Sequence, residues 1–512
     1  MKKVLSGWLP GIILFAVCLC IAFCTYKDYG FAWDESIQRL TGTATYDYIF
    51  NHNNGLKSLE YRDLGTGFEL PLVFIEKWLR LTDLRAITEM RHLVTHIFFL
   101  ISVFCGYVLA LRLFKSQTIA CIGFLLLAFH PRIYAHSFFN SKDIPFLSMF
   151  IITFLVSHIA FEKNRPGWYF ILGLVCGYTT SIRAMGIMLL PCIVLFLLID
   201  LIRQYSAGEK TRAGLRNMLL FVAGYCLLLY IAWPILWSNP IYYFAEEFKS
   251  LAHIKWGGKV LFYGEIIDGE KLPWTYTPAW FAITTPEVWL VAGLAGMIWI
   301  VCLAVKYPKR FLVNSSQRQF LLYLLCLLGP VFMVIILHSV NYDDWRHLYF
   351  IYPSFVMLAL FFVSKLISGK GGIIVYAAFA LQFIFAGIFI IREHPLEYVY
   401  FNRLVSHADE NIHRNFDMEY WGISYRKGLE YILAHDNTSM IRVSNGAGPI
   451  YDNVGILTEA QRKRITIVAE NENPDYFITV FRYHPEEYDY YHNIIYNYKI
   501  SNSTVLRIYK VH

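Results

Sequence analysis

A chain of 512 residues that is 56% hydrophobic and only 16% charged is not an ordinary water-soluble domain; its composition is that of a polytopic membrane protein. The formal net charge of +7 does not point to nucleic acid, because Lys and Arg gather in short loops between apolar runs, where they set topology. All ten cysteines fall inside apolar runs, so the sequence carries no disulfide framework or zinc knuckle.

The first apolar run, residues 8–24, is long enough with its flanks to cross a bilayer. Met1-Lys2-Lys3 before it resembles the start of a signal peptide. Cys24-Thr25-Tyr26 offers no small-residue cleavage site, so the first helix is expected to stay. Just beyond it comes Tyr29-Gly30-Phe31-Ala32-Trp33-Asp34-Glu35-Ser36, which sets two adjacent carboxylates at the depth of the lipid headgroups. Two readings are open for the pair: Asp-Glu-Ser caps the helix that follows, or the carboxylates carry chemistry.

Further apolar windows recur at 92–114, 118–130, 144–161, 168–182, 184–202, 217–237, 286–305, 319–338, 347–367 and 372–392, which predicts about eleven spans. Arg112/Lys115, Lys163/Arg165, Arg203/Lys210/Arg212/Arg216, Lys306/Lys309/Arg310/Arg318 and Lys365/Lys370 fall on the side of Lys2 and Lys3. The positive-inside rule makes that side the cytoplasm. The other side receives loops 25–91, 131–143, 238–285 and 339–346 and everything after about residue 393. Within loop 25–91, Leu70-Pro71-Leu72-Val73-Phe74-Ile75-Glu76-Lys77-Trp78-Leu79 is amphipathic and suits the membrane interface.

Four polar groupings face that side. His130-Pro131-Arg132-Ile133-Tyr134-Ala135-His136 running on to Asn140-Ser141-Lys142-Asp143-Ile144-Pro145 is dense in ionisable groups, at a cost unless they pair or bind. Lys142 and Asp143 capping the next helix is the simpler reading, but it leaves Arg132, His136 and Asn140 without a purpose. Arg183 stands alone between two windows and needs a partner from elsewhere, an anion or a carboxylate. Asn341-Tyr342-Asp343-Asp344-Trp345-Arg346-His347 offers Arg346 and His347 as donors to an anion, or pairs Arg346 within the loop. In Leu272-Pro273-Trp274-Thr275-Tyr276-Thr277-Pro278, the rings of Trp274 and Tyr276 suit sugar stacking or interface anchoring.

After residue 392 polar residues dominate. The chain reads as a transmembrane domain over 1–392 and a soluble α/β domain over 393–512, with a helix at 425–433 and strands at 440–443, 465–468, 476–480 and 505–509.

Asp34-Glu35, the Asn-Ser-Lys-Asp-Ile-Pro loop, Leu-Pro-Trp-x-Tyr and Trp-Arg-His-Leu-Tyr-Phe together resemble the GT-C superfamily of membrane glycosyltransferases. Within it the chain is similar to the protein O-mannosyltransferase and lipid A aminoarabinose-transferase branch, glycosyltransferase family 39. It departs from that branch in two places: loop 238–285 is too short for the β-trefoil of eukaryotic protein mannosyltransferases, and Glu69-Leu70-Pro71-Leu72 stands where relatives often carry His or Lys before Pro-Pro-Leu. The resemblance implies a GT-C fold and a sugar donor carried on a polyprenyl phosphate. It also implies inverting transfer to a protein or glycolipid hydroxyl on the outer face of the inner or plasma membrane.

Chemistry then assigns Asp34 as general base and Glu35 as its orienting neighbour, with Lys142, Asp143, Arg183, Arg346 and His347 around the donor phosphate and Trp274 and Tyr276 against a sugar. No cofactor is expected. Were a divalent metal used, Asp34, Glu35, Asp143 and His136 would be its ligands. The rival classes are a lipid-linked sugar flippase or transporter, which would need charges at mid-membrane depth, and a non-catalytic envelope assembly protein, which would be indifferent to Asp34.

Overall fold

Every apolar window becomes a helix in the computed structural model, which describes residues 2–62, 64–252, 256–367 and 372–511. Lys370, one of the residues used for topology, lies outside the described residues. Among the described residues nine helices are long and apolar enough to cross a membrane, and ten if the pair Gln117–Ala128 and Pro131–Phe139, bent by 61°, forms one span. The remaining window, Pro166–Ile182, is a helix of 17 residues. The expected count of about eleven is therefore nine or ten by length.

Residues 131–143 are not an exposed loop. Pro131–Phe139 is a helix whose every residue is buried. Pro131 at its first position presets the backbone, and Ile133, Tyr134, Phe138 and Phe139 sink into the core beneath the polar face.

Charged contacts separate to the two ends of the bundle. At one end Arg112 pairs with Glu162 at 3.0 Å and Arg318 with Asp200 at 2.6 Å. At the other, Arg183, which follows Pro166–Ile182, reaches Asp143 and the carbonyl of His347. The short helix thus runs from one end to the other, as the alternation of basic loops requires. It packs closely on Arg212–Ala232 through small residues. A Cβ on Gly173 would come within 2.1 Å of the Phe221 carbonyl oxygen and one on Gly177 within 2.2 Å of that of Tyr225.

At the polar end, Glu35–Phe50 and Glu69–Trp78 are short helices that bury one face and leave Leu40, Phe50, Phe74 and Trp78 exposed. A two-stranded hairpin follows the helix Pro240–Ala252: β1 is Lys259–Phe262 and β2 Glu265–Asp268. Beyond the last span, β3 (Ile441–Asn445), β4 (Ile465–Ile467), β5 (Tyr476–Thr479), β6 (Ile494–Ile500) and β7 (Ser503–Lys510) form one sheet in the order β4-β3-β5-β7-β6. β3 is parallel to β4 and β5, and β7 is antiparallel to β5 and β6. The helix Ser424–His435 covers this sheet with Tyr425, Leu429 and Ile432.

Packing does not change abruptly at the end of the last helix. Leu396, Tyr398, Phe401, Phe416, Tyr420 and Trp421 belong to the same hydrophobic core as the spanning helices, and a separate core begins at Tyr425. The segment 396–423 is thus built into the polar end of the bundle.

Gly173→Ala is expected to lower the thermal midpoint of the purified protein in detergent, since overpacking against backbone costs about 1–3 kcal/mol. Gly167→Ala on the same helix, where an added Cβ meets nothing within 4 Å, provides the control. Equal midpoints for the two variants would contradict the close packing.

Candidate active site

The stretch before Asp34 is fixed by the C-terminal segment. Asn453 Oδ1 accepts from Phe31 N at 3.0 Å, while its Nδ2 donates to the Phe31 carbonyl at 3.0 Å. Trp33 N donates to the Trp421 carbonyl at 3.0 Å, and Gly30 passes so near Ile423 that an added Cβ would sit 2.1 Å from its carbonyl oxygen. The two carboxylates then part. Glu35 is buried; its Oε1 accepts from Ala32 N at 2.8 Å and its Oε2 lies 3.1 Å from His92 Nε2. Asp34 occupies the capping position of Glu35–Phe50 but makes no side-chain capping hydrogen bond. Its Oδ2 accepts from Arg346 Nη1 at 3.0 Å, and its side chain stays 36% exposed in a recess of protein atoms.

Lys142 likewise holds the capping position of its helix, Asp143–Lys163, without a side-chain capping hydrogen bond. Asn140 Oδ1 accepts from Asp143 N at 2.8 Å and Lys142 N at 3.2 Å, which leaves the Asp143 carboxylate free for other donors. That carboxylate binds Arg183, accepts from Asn140 Nδ2 at 2.9 Å and lies 3.6 Å from Arg346. Arg183 is 20% exposed. Lys142 Nζ donates to the Gly65 carbonyl, and burial, then the charge of Arg183, brings its ammonium down to about 8.

Arg346 is the hub. Besides donating to Asp34 and lying beside Asp143, it donates to Asp343 at 3.3 Å, and its guanidinium lies 4.6 Å from the Trp421 ring and 5.1 Å from that of Tyr342. Tyr342 in turn stacks on Trp256 at 4.0 Å and meets the His347 ring edge-on at 4.8 Å. Burial pushes the Asp34 carboxyl above the ordinary carboxylate range, and Arg346 opposes that shift.

Below lies a second set of buried ions. Arg132 donates to Asp344 at 2.8 Å and to the Tyr400 carbonyl at 2.9 Å, and Tyr420 and Tyr349 donate to the same Asp344 carboxylate at 2.6 and 3.0 Å. Arg91 binds Glu69, which also accepts from Ser141, so the Glu69 of the departing Glu-Leu-Pro-Leu motif anchors the loop that carries Lys142.

The structure therefore brings Asp34, Asp143, Arg183 and Arg346 together, with His347 contributing its carbonyl and its ring edge. Trp274 is 68% exposed. Tyr276 offers no stacking face: it is buried against Phe262 at 4.9 Å and Trp280 at 6.2 Å, because its helix turns it into the core. Asp34, Glu35, Asp143 and His136 do not converge as a set of four: Asp34 and Asp143 flank Arg346 Nη1, while Glu35 turns to His92 and His136 to Asn140, and among the described residues no three His, Cys, Asp or Glu side chains gather as metal ligands. This donor set does not fit a divalent cation. Sequence reasoning missed Asp343 as a shared partner, Arg91 with Glu69, and Trp421, Asn453 and Arg482 from the C-terminal segment. Hydropathy gives no signal for these, and the density of charge in Asp343-Asp344 marks that loop alone.

Arg91→Met is expected to cost about 3–5 kcal/mol, because it strands the Glu69 carboxylate in the interior, and a further Glu69→Met change should recover most of it. Thermal unfolding in detergent decides; a double variant as unstable as the single one would contradict the pairing.

Residues 87–237 match the family described as dolichyl-phosphate-mannose-protein mannosyltransferase. Among curated protein sequences none matches the chain. Among solved structures, ArnT from Cupriavidus metallidurans in the apo state is 12% identical over 99% of this chain and 98% of its own, with a TM-score of 0.47. The same protein bound to undecaprenyl phosphate gives 11% identity, 97% and 97% coverage and 0.44. The oligosaccharyltransferase AglB of Archaeoglobus fulgidus, in complex with an inhibitory peptide and a dolichol-phosphate, gives 12%, 97% and 74%, and 0.44. Against the A. fulgidus oligosaccharyltransferase tethered with an acceptor peptide, the chain spans 65% of that protein's length, at 11% identity over 86% of this chain and a TM-score of 0.39. The family match thus covers residues 87–237, the stretch that holds Lys142, Asp143 and Arg183.

Proposed function

We propose that the protein transfers a sugar from a polyprenyl-phosphate donor to a hydroxyl on a protein or glycolipid acceptor, with inversion, at the outer face of the inner or plasma membrane. The observation that carries this is the pairing of Asp34 with Arg346 at 3.0 Å, joined through Asp143 to the partly exposed Arg183. The description of the matching family, whose donor is a sugar on dolichyl phosphate, supports the donor class. The basic loops at the opposite end of the bundle support the orientation, with the N terminus in the cytoplasm.

In this reading the acceptor hydroxyl gives its proton to Asp34 as its oxygen attacks the anomeric carbon. The bond from that carbon to the phosphate oxygen breaks on the opposite side, and the polyprenyl phosphate departs with the electron pair. Arg346 keeps Asp34 ionised in a recess that would otherwise favour its neutral form. Its partners are three carboxylates, so the phosphate falls to the partly exposed Arg183, with Lys142, whose ammonium feels the Arg183 charge, as a further cation. Asp143 orients Arg183, and Glu35, fixed by Ala32 N and His92, holds the turn from which Asp34 projects. Trp274 is the exposed ring available to a sugar.

Asp34→Asn is expected to reduce transfer by the ~10²–10⁴-fold typical of a lost general base, read as polyprenyl phosphate released from the donor pool of native membranes. Glu35→Gln should be milder. Because the ionised form is required and burial raises its pKa, wild-type turnover should fall as pH drops through a midpoint above the ordinary Asp value of 3.8. Wild-type turnover by Asp34→Asn would remove Asp34 from the reaction.

Arg183→Ala should weaken binding of undecaprenyl phosphate, measured on purified protein, by about 1.5–3 kcal/mol, the worth of one charge-assisted contact. Unaltered affinity in a folded Arg183→Ala variant would exclude it from the phosphate site.

A further inference from the structure

Asp343 is a carboxylate that Arg346 shares with a residue the proposed reaction does not use. Its Oδ2 accepts from Arg346 Nη2 at 3.3 Å, and its Oδ1 accepts from Arg482 Nη2. Arg482 is buried and comes from the turn after β5, in the C-terminal segment. Its Nη1 lies 3.3 Å from Asp417, and its guanidinium packs 4.5 Å from the Tyr483 ring. Charges therefore alternate along one line: Asp34, Arg346, Asp343, Arg482, Asp417.

The backbone on both sides of the Asp343–Arg482 pair is strained. Asp343 and Asp344 have φ of +57° and +65°, and Phe481 and Tyr483, which flank Arg482, have φ of +60° and +62°. Residues with side chains adopt this left-handed conformation at a cost, and they hold it where the surroundings impose it. Here it aims neighbouring carboxylates at different cations, Asp343 at Arg346 and Arg482 and Asp344 at Arg132.

We propose that Arg482 is a positioning residue for Asp34: by neutralising Asp343 it leaves Arg346 free to face Asp34. Without Arg482, Asp343 becomes a buried carboxylate short of a counter-charge, and Arg346, already 3.3 Å away, is the cation it draws. Asp34 then loses its partner while remaining in the same recess. The C-terminal segment is on this view part of the site. The proposal rests on the reading of Asp34 as base for its effect on transfer, but not for its effect on the state of the Asp34 carboxyl.

The groups that face Asp34 are Arg346, Asp343 and Asp143, with Tyr342 beside them and Arg183 behind Asp143. Those that face Asp343 are Arg346 and Arg482, with Asp417 behind. Removing Arg482 and removing Asp343 therefore act on Asp34 in opposite directions. The first lets Asp343 compete for Arg346 and subtracts a positive charge; the second releases Arg346 to Asp34 and subtracts a negative one.

The test is an infrared titration of the full-length protein in lipid nanodiscs, with the Asp34 carboxyl band identified as the one lost in Asp34→Asn. Arg482→Met should move the Asp34 midpoint up, Asp343→Asn should move it down, and Arg482→Lys should restore it to near the wild-type position. A merely structural role would shift both variants the same way or neither, and either result overturns the proposal. If Arg482→Met is not recovered folded, Asp343→Asn decides alone, since an unchanged or raised midpoint there is equally fatal. Persistent sugar transfer by Asp34→Asn would dispose of the base assignment and leave the titration result standing.

Discussion

A single guanidinium, that of Arg346, is the constraint around which the polar end of this protein is built. It is 5% exposed and has carboxylates at 3.0, 3.3 and 3.6 Å, from Asp34, Asp343 and Asp143. Removing such a cation from water costs several kcal/mol, and the attraction of one carboxylate does not reliably return it. More than one acid is needed, and each brings its own burial cost, so further cations follow: Arg183 for Asp143 and Arg482 for Asp343. The network closes where Asp34 meets open space. The carboxylate there has a cation on one side and is partly exposed, as the proposed role of base for an incoming hydroxyl requires.

The partners come from five separated stretches of chain, so the fold's task is to bring helix ends together. Spanning helices do this through their ends, and close contacts such as Gly173 on Phe221 fix how the ends align. The segment 396–423 seals the same end: Trp421 lies 4.6 Å from the Arg346 guanidinium, and its carbonyl receives the backbone of Trp33. Arg132, Asp344, Tyr349 and Tyr420 form a fully buried layer underneath. With that layer in place the helix Pro131–Phe139 has no polar group left to turn toward lipid except those already paired or facing aromatic rings.

How much of this was legible in the sequence follows from what each signal measures. Hydropathy averages over a whole window, so each apolar run was found, and the strands at β3, β4, β5 and β7 were close to their observed bounds. The edge strand β6, Ile494–Ile500, was missed because only Ile500 in it is buried, leaving no clean alternation to read. Pro131–Phe139 reads as loop because Arg132, His136 and the polar run Asn140–Asp143 beyond it lower the hydropathy of the window, although Arg132 is paired inside. At the site, residue type and membrane depth singled out Asp34, Asp143, Arg183 and Arg346, since charges at a headgroup level are expensive enough to need a reason. Apart from Arg346 with Asp343, which lie in one loop, who pairs with whom was beyond reach. Asp34 and Arg346 are 312 residues apart and Asp343 and Arg482 are 139 apart, and spacing carries no information over such separations. Tyr276 shows the limit for aromatics, where composition does not distinguish a ring on the surface from one in the core.

The most direct test of the account is mass analysis of the glycans, glycoproteins and glycolipids of cells that lack the protein and are complemented with either the wild type or Asp34→Asn. The account predicts a glycoconjugate short of one sugar in the deleted cells, with the matching polyprenyl-phosphate sugar accumulating, restored by the wild type and not by an equally abundant Asp34→Asn protein. Identical glycoconjugates in all strains, or full restoration by Asp34→Asn, would contradict it.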